Sequence, residues 1–244
     1  MKIRRLALST LLFLAAAGAA AANLQISPVS IFLKGEQQSG AIQLRNMGNE
    51  AVYGQVRVFQ WDQKDTDDVL TPTTDVVASP PIVQVAANGT QVIRLVRMGA
   101  AAPEERTYRI LIDEISGEET RESSGVNFRL RYSVPVFVLP VREPGPEVLA
   151  WRIFRADGAW MMRVQNTGGV HAQIGAMQFT NAAGRNFEVS KGLFGYVLPG
   201  RQREWKLPLA AEAELAGELR IDAQVNGKST TARAKAEAAE QPRK

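Results

Sequence analysis

The chain has 244 residues, 45% of them hydrophobic, which is enough for one large or two ordinary domains with a full apolar core. Three of its 29 basic residues lie in the first 22 positions, and the remainder is close to neutral, with 26 basic against 25 acidic residues. This balance excludes a protein that binds nucleic acid through a strongly basic surface. The sequence contains no cysteine, so disulfides contribute nothing to its stability.

The first 22 residues have the pattern of an export signal. Lys2, Arg4 and Arg5 precede an apolar run over 6–22 that ends in three alanines. A short basic segment, an apolar centre and small residues at the end are typical of a secretory signal peptide. The run is too short and too rich in alanine for a membrane span, and no later stretch is long enough. We therefore expect residues 1–22 to be cleaved, a mature start near Asn23 and no direct membrane insertion.

Short alternating strands separated by turn signals fill the next ninety residues or so. Pro28 interrupts the first strand, which suits an edge position because proline has no N–H to donate to a ladder. Asn88-Gly89 between two alternating runs is a strong hairpin signal. Strands at this spacing, with almost no helical periodicity, indicate an antiparallel sandwich of the immunoglobulin type. The predicted strands cover 24–33, 41–46, 52–61, 82–85, 92–96 and 108–115, with an acidic loop at 62–68.

The clearest strand of the sequence covers residues 126–139, after a polar loop at 116–125. Side chains alternate across a strand, and the even positions here form an unbroken apolar row, whereas the odd positions begin with polar side chains. The row comprises Val126, Phe128, Leu130, Tyr132, Val134, Val136 and Val138. One interpretation is that the whole row lines a single sandwich core. The other is that its first half presents apolar side chains to another protein.

A second domain is predicted after a short linker. Residues 141–147 are rich in proline and glycine and indicate a stiff interdomain linker. Further strands and turns over 148–230 predict a second, smaller β-sandwich. Alanine, lysine and glutamate dominate 231–244, which we expect to be a flexible tail after at most a short final strand. The first domain then covers 23–140.

No group of residues supports catalysis. The only histidine, His171, has no cysteine or second histidine as a partner, so we expect it to be a solvated loop residue. The four aspartates between positions 62 and 68 lack the alternating ligand spacing of a calcium loop. Asp113 and Glu114 are adjacent on a strand, so their side chains point to opposite faces and cannot form an acid–base pair. We expect no enzyme activity, no metal and no cofactor.

Four motifs follow one another in the first domain. They are Ser79-Pro80-Pro81-Ile82, residues 92–97, residues 108–115, and Arg131-Tyr132-Ser133-Val134-Pro135-Val136-Phe137. In this order they resemble the PapD-like periplasmic chaperones of the chaperone–usher pathway, and the last motif is closer to the archaic branch than to PapD itself. The resemblance covers residues 24 to about 140 through motifs, whereas over 148–226 it rests on the strand pattern.

The resemblance implies a mechanism. In this family a pilus (fimbrial) subunit lacks the final strand of its immunoglobulin-like fold, and the chaperone lends its own long strand by β-strand addition. Position matching places the donated side chains at Val126, Phe128 and Leu130, with Tyr132 at the boundary, while the later even positions stay in the chaperone core. The resemblance further implies two immunoglobulin-like β-sandwich domains in an L or boomerang arrangement, a periplasmic location, an outer-membrane usher as a partner, and neither cofactor nor nucleic acid. It leaves open whether the free chaperone forms a self-dimer.

The terminal carboxylate of the subunit has no evident anchor in this sequence. Well-known family members hold it with an arginine on the first strand and a lysine on the donor strand, but position matching puts Ser30 and Pro135 there, and neither carries a charge. Glu105 matches an acidic residue that helps to fix the interdomain angle in relatives. The candidate anchors that remain are Arg94, Arg97 and Arg131.

Two other classes of function are weighed against the chaperone. A pilus subunit or adhesin should lack a strong final strand in its own domain, whereas this chain has one with surplus length and a second domain behind it. A secreted carbohydrate-binding or hydrolytic sandwich should cluster aromatic residues or paired carboxylates on one face. The four tryptophans are instead scattered, at positions 61, 151, 160 and 205. The sequence therefore favours the chaperone.

Overall fold

The computed structural model describes residues 24–64, 67–100, 102–115, 129–210 and 213–240. Within these ranges the chain forms eighteen β-strands and no helix, which confirms the predicted all-β class. The first ten are β1 (Leu24–Ser27), β2 (Ile31–Leu33), β3 (Ser39–Asn46), β4 (Val52–Lys64), β5 (Asp67–Pro72), β6 (Val76–Ser79), β7 (Ile82–Val85), β8 (Thr90–Arg97), β9 (Arg106–Ile115) and β10 (Arg131–Val138). The remaining strands are β11 (Leu149–Ala156), β12 (Ala159–Asn166), β13 (Ala172–Asn181), β14 (Asn186–Ser190), β15 (Gly195–Val197), β16 (Gln202–Lys206), β17 (Gly217–Val225) and β18 (Lys228–Glu240).

The first ten strands form a sandwich of two sheets. The front sheet has the order β2-β10-β9-β4-β5, with β7 pairing β4 beside β5, and the back sheet has the order β1-β3-β8-β6. Alternation along each strand sends one set of side chains between the sheets, as Ile42 and Leu44 on β3 and Ile93 and Leu95 on β8 show, each with no exposed surface. This apolar layer is the core of the first domain.

The first predicted strand changes sheets at Pro28. β1 pairs antiparallel with β3 at the edge of the back sheet, whereas β2 pairs parallel with β10 at the edge of the front sheet. Between them lies a cis peptide bond, Ser27–Pro28, and a second one precedes Pro80. The expected edge position is confirmed, because a residue without an N–H fits where no ladder has to continue.

The predicted acidic loop at 62–68 is wrong over most of its length. β4 continues to Lys64 and β5 begins at Asp67, so the two strands form a hairpin that runs through the acidic segment. All six residues of β5 are exposed. A strand with both faces in solvent carries no hydrophobic alternation, which is the signal that sequence reading depends on.

The second half of the chain folds around a core of its own. The order β14-β13-β17-β18-β11-β12-β16 runs through an eight-stranded sheet, with β15 pairing β13. Its core includes Ile153, Met162, Phe179 and Ile221, none of them exposed. In the part of the chain that the structure describes, no helix has the length and apolar character needed to cross a membrane.

The flexible tail predicted from residue 231 is wrong as far as residue 240. β18 lies between β17, to which it pairs antiparallel, and β11, to which it pairs parallel. Ala234 and Ala236 are buried in the core, whereas Arg233 and Lys235, which alternate with them, are exposed. This alternation is that of a strand, but alanine is small and common in helices, so the composition concealed it. The last four residues, 241–244, lie outside the described ranges.

Candidate functional site

Strand β10 is paired unequally on its two sides. Along one edge every residue from Arg131 to Val138 pairs antiparallel with β9. Along the other edge, pairing among the described residues is limited to Val136–Val138, which lie beside β2. The backbone at 131–135 therefore presents an open sheet edge. Such an edge can accept a further strand from another chain.

The apolar row of β10 leaves the domain core step by step. Val134, Val136 and Val138 are buried between the two sheets, as expected. Tyr132 is half-buried, and its hydroxyl donates a hydrogen bond to the Leu24 carbonyl at 3.2 Å. Leu130 comes next and is 39% exposed. The row thus emerges from the core at Tyr132 and Leu130. The other two predicted donor residues, Val126 and Phe128, lie outside the described residues.

The three candidate anchors occupy different surroundings. Arg94 is exposed on the outward face of β8, in the back sheet. Arg97 is 9% exposed, and its Nη1 donates a hydrogen bond to the Gly35 carbonyl at 3.0 Å. Arg131 begins β10 and is ion-paired with Asp113 on β9. The structure does not bring these three residues together.

Asp113 is held by two arginines on the outward face of the front sheet. Arg57 Nη2 donates to its Oδ2 at 2.6 Å, and Arg131 Nε donates to its Oδ1. Burial by itself would raise the pKa of Asp113, but the hydrogen bonds from Arg131 and Arg57 outweigh this and lower the pKa below its ordinary value. The carboxylate is therefore charged at neutral pH and fixes both guanidinium groups.

A cation–π contact lies further along the same face. The guanidinium carbon of Arg109 stands 3.7 Å from the centre of the Trp61 ring and 5.3 Å from that of Tyr196, which belongs to the second domain. Burial lowers the pKa of Arg109, and the charge of Asp68 opposes that effect. Arg109 and Pro135 are cross-strand partners, so this contact adjoins the end of the open edge.

His171 is not the solvated loop residue that the sequence predicted. It is 7% exposed, and its ring stacks on Phe137 with the centroids 3.4 Å apart and the planes at 4°. Nδ1 lies 2.9 and 3.1 Å from the two carboxylate oxygens of Glu105, and the His171 backbone N–H donates to the same carboxylate at 3.0 Å. These residues are 66 positions apart, so no local pattern indicates their contact.

The side chain of Gln63 joins the two domains through two hydrogen bonds to the backbone of the second domain. Its Nε2 donates to the Tyr196 carbonyl and its Oε1 accepts the Leu198 N–H, both at 2.9 Å, and it is only 3% exposed. Beside it Asp62 accepts two hydrogen bonds from Arg201. Sequence reasoning missed this contact because the sequence predicts an acidic loop for Asp62 and Gln63.

Comparison with known protein families identifies one that matches the first domain. Residues 23–143 match the family described as pili and flagellar-assembly chaperone, PapD N-terminal domain. The chain belongs to the PapD-like pilus chaperones. The predicted family is therefore confirmed, and it is one of assembly chaperones rather than enzymes. No curated protein sequence matches the chain significantly.

Solved structures show the same fold at low sequence identity. A chain of the CsuC–CsuE chaperone–tip adhesion subunit complex, from archaic Csu pili of Acinetobacter baumannii, matches with a TM-score of 0.64 and 20% identity, over 89% of this chain and 100% of that one. The SafA pilin–SafB chaperone complex of Salmonella enterica gives 0.61 and 14%, over 89% and 98%. The CupB2 chaperone of Pseudomonas aeruginosa gives 0.56 and 16%, over 87% and 100%. The two-domain chaperone fold thus extends over nearly the whole chain.

Proposed function

We propose that this PapD-like chaperone holds incomplete pilus subunits by adding the strand that leads into β10 to their open groove. The observation that carries the proposal is the combination of an open edge at 131–135 with an apolar row that leaves the core at Tyr132 and Leu130. β10 also completes the front sheet of its own domain, whereas a pilus subunit would lack that strand.

The driving free energy is the burial of apolar side chains in the subunit. Each side chain that moves from water into an apolar groove contributes about 1.5–3 kcal/mol. Val126, Phe128 and Leu130 together therefore contribute several kcal/mol, and the added backbone hydrogen bonds satisfy the exposed edges of both proteins. No nucleotide or cofactor is required for this step.

The wider pathway follows from the same proposal. Residues 1–22 direct export and are cleaved, and the mature protein works in the periplasm. It passes bound subunits to an outer-membrane usher. In the absence of a subunit, the same open edge suits a self-dimer, because two copies can cover one another's strands.

The terminal carboxylate of the subunit requires a cation near the end of the open edge. Arg131 lies on β10 itself and so adjoins any added strand. Arg97 is buried and bonded to the Gly35 carbonyl, which makes it a weaker candidate. Arg94 is on the outward face of the back sheet, whereas the open edge belongs to the front sheet. Of the three, only Arg131 adjoins the open edge, and it lies at the start of β10 rather than beside Val136, where β2 closes that edge.

The test is Leu130→Glu in a chain tagged after Lys244 and co-expressed in the periplasm with the pilus subunit of a neighbouring gene. Leu130 is already 39% exposed, so we expect an unchanged melting temperature and complete loss of the one-to-one complex. Val92→Glu is the matched control, because Val92 is 50% exposed on the back sheet. Retention of the complex by Leu130→Glu would contradict the proposal, and loss of the fold would place Leu130 in the chaperone's own core.

A further inference from the structure

The outward face of the front sheet carries an excess of positive charge beside the open edge. On β4, β9 and β10 this face presents three arginines, Arg57, Arg109 and Arg131, against one acidic residue, Asp113. Glu114 follows Asp113 on β9 and so points to the other face, where its carboxylate accepts the Leu130 N–H. Asp68 on the neighbouring β5 shares this face and offsets the charge of Arg109, so the three arginines still exceed the two aspartates by one positive charge.

Arg57 and Arg131 form a clamp over β9, with Asp113 at its base. The side chains of Arg57 and Arg131 are 42% and 62% exposed, whereas that of Asp113 is only 15% exposed. Each guanidinium uses one nitrogen on Asp113, and an arginine has five N–H donors. Asp113 thus holds both groups in place and leaves donors on each for a second carboxylate.

The position of the clamp along β10 decides which carboxylate of an added strand can reach it, that of a side chain or that of the chain terminus. A strand added to the open edge must end or turn away where β2 begins, at Val136. Arg131 lies four residues before Pro135, and at about 3.3 Å per residue this is about 13 Å from that end. A terminal carboxylate at the end of the added strand is out of reach, whereas a side chain about four positions inside it is within reach.

We propose that Arg131, on β10 itself, binds an aspartate or glutamate side chain of the subunit strand that is added to β10, and that Arg57, held over β9 by Asp113, adds a second positive charge beside it. This inference rests on the proposed chaperone function and names the type of side chain that the site recognises in its partner. Because both arginines are exposed, their charges attract the acidic segment before contact and fix its register along β10 afterwards.

The experiment follows complex formation when the urea-unfolded subunit of a neighbouring gene is diluted into the full chaperone. With both Arg57→Gln and Arg131→Gln, we expect association about tenfold slower at low ionic strength, with a weaker salt dependence. Asp113→Asn keeps both arginines and removes the internal carboxylate, so it should change the rate in the opposite direction. Arg45→Gln, an exposed residue of the back sheet, is the control and should behave as the wild type.

The outcomes separate this inference from the proposed function. If the wild-type chain forms no complex, the chaperone function fails and the clamp fails with it. If it forms the complex and the double variant matches Arg45→Gln in rate and salt dependence, the clamp alone is overturned. The same holds if one extra residue at the subunit's C-terminus abolishes the effect of the two substitutions, because the ligand is then the terminal carboxylate.

Discussion

At the scale of single residues, the most consequential side chain is the carboxylate of Glu105. It has no exposed surface, and the hydrogen bonds that it receives come from His171, through the backbone N–H and the ring. A buried carboxylate without partners costs several kcal/mol, so this pair ties the loop before β9 to the start of β13. The face of the His171 ring also stacks on Phe137, and this contact adds dispersion attraction.

Replacing His171 by alanine leaves the Glu105 carboxylate buried with one hydrogen bond in place of several. We expect the free energy of unfolding to fall by about 3 kcal/mol, measured by urea denaturation. Glu104→Gln is the control, because Glu104 adjoins Glu105 in sequence and is exposed. A His171→Ala variant as stable as that control would show that the pair contributes little.

At the scale of elements, the surroundings of β10 and β18 depend on the strands with which they pair rather than on their own composition. β10 is buried in its second half and open in its first, because β2 covers only three of its residues. β18 consists mainly of alanine and charged residues, yet it occupies an interior position of the second sheet. Interior strands supply two ladders of hydrogen bonds, so β18 is essential to the second domain.

Truncation tests this position of β18. A chain that ends at Thr230 loses the pairing with β11 and most of the pairing with β17, and its core lacks Ala234 and Ala236. We expect its second domain to remain unfolded, since the loss is comparable with the about 5–15 kcal/mol that stabilises a domain. A chain that ends at Glu240 should unfold like the full protein. Limited proteolysis and circular dichroism distinguish the two, and equal protection in both would contradict the assignment.

At the scale of the whole molecule, the two domains share an aromatic cluster and several polar contacts. Trp61 and Phe137 of the first domain pack against Tyr196 and Leu198 of the second. Gln63, Asp62 and Glu105 each bond a residue of the second domain. These contacts come from β4, β10 and the loop before β9, so the strand with the open edge is connected directly to the domain interface.

The Asp62–Arg201 pair gives this interface a dependence on pH. The hydrogen bond from Arg201 lowers the pKa of Asp62 below the ordinary value of 3.8, although burial has the opposite effect. Because the pKa is lower in the folded state, the pair stabilises the protein above the unfolded pKa and loses this effect as the pH falls through the folded one. The stability difference between wild type and Asp62→Asn should therefore be constant near neutral pH, below about 1 kcal/mol, and vanish in stronger acid.

Asp67→Asn is the control for this series, because Asp67 is a neighbouring exposed aspartate. Urea denaturation from neutral pH to below the folded pKa of Asp62 measures both differences. A difference for Asp62→Asn that does not change with pH would show that the ion pair contributes nothing.

The sequence by itself determined the fold class, the family and the existence of the long strand β10. Period-two alternation around Ile42 and Ile93 specifies which face of a strand is buried, whereas the surplus length of the row before Val134 left open whether that row continues beyond the core. These are local properties, since each depends on residues a few positions apart.

Only the tertiary structure decided where the polar residues act. Glu105 and His171 meet across 66 positions, and Arg57 meets Asp113 across 56. β5 and β18 also escaped prediction, because one is exposed on both faces and the other buries only alanine. Charge and hydrogen-bond partners depend on which strands become neighbours, and that is settled by the packing of whole sheets rather than by the alternation within any one strand.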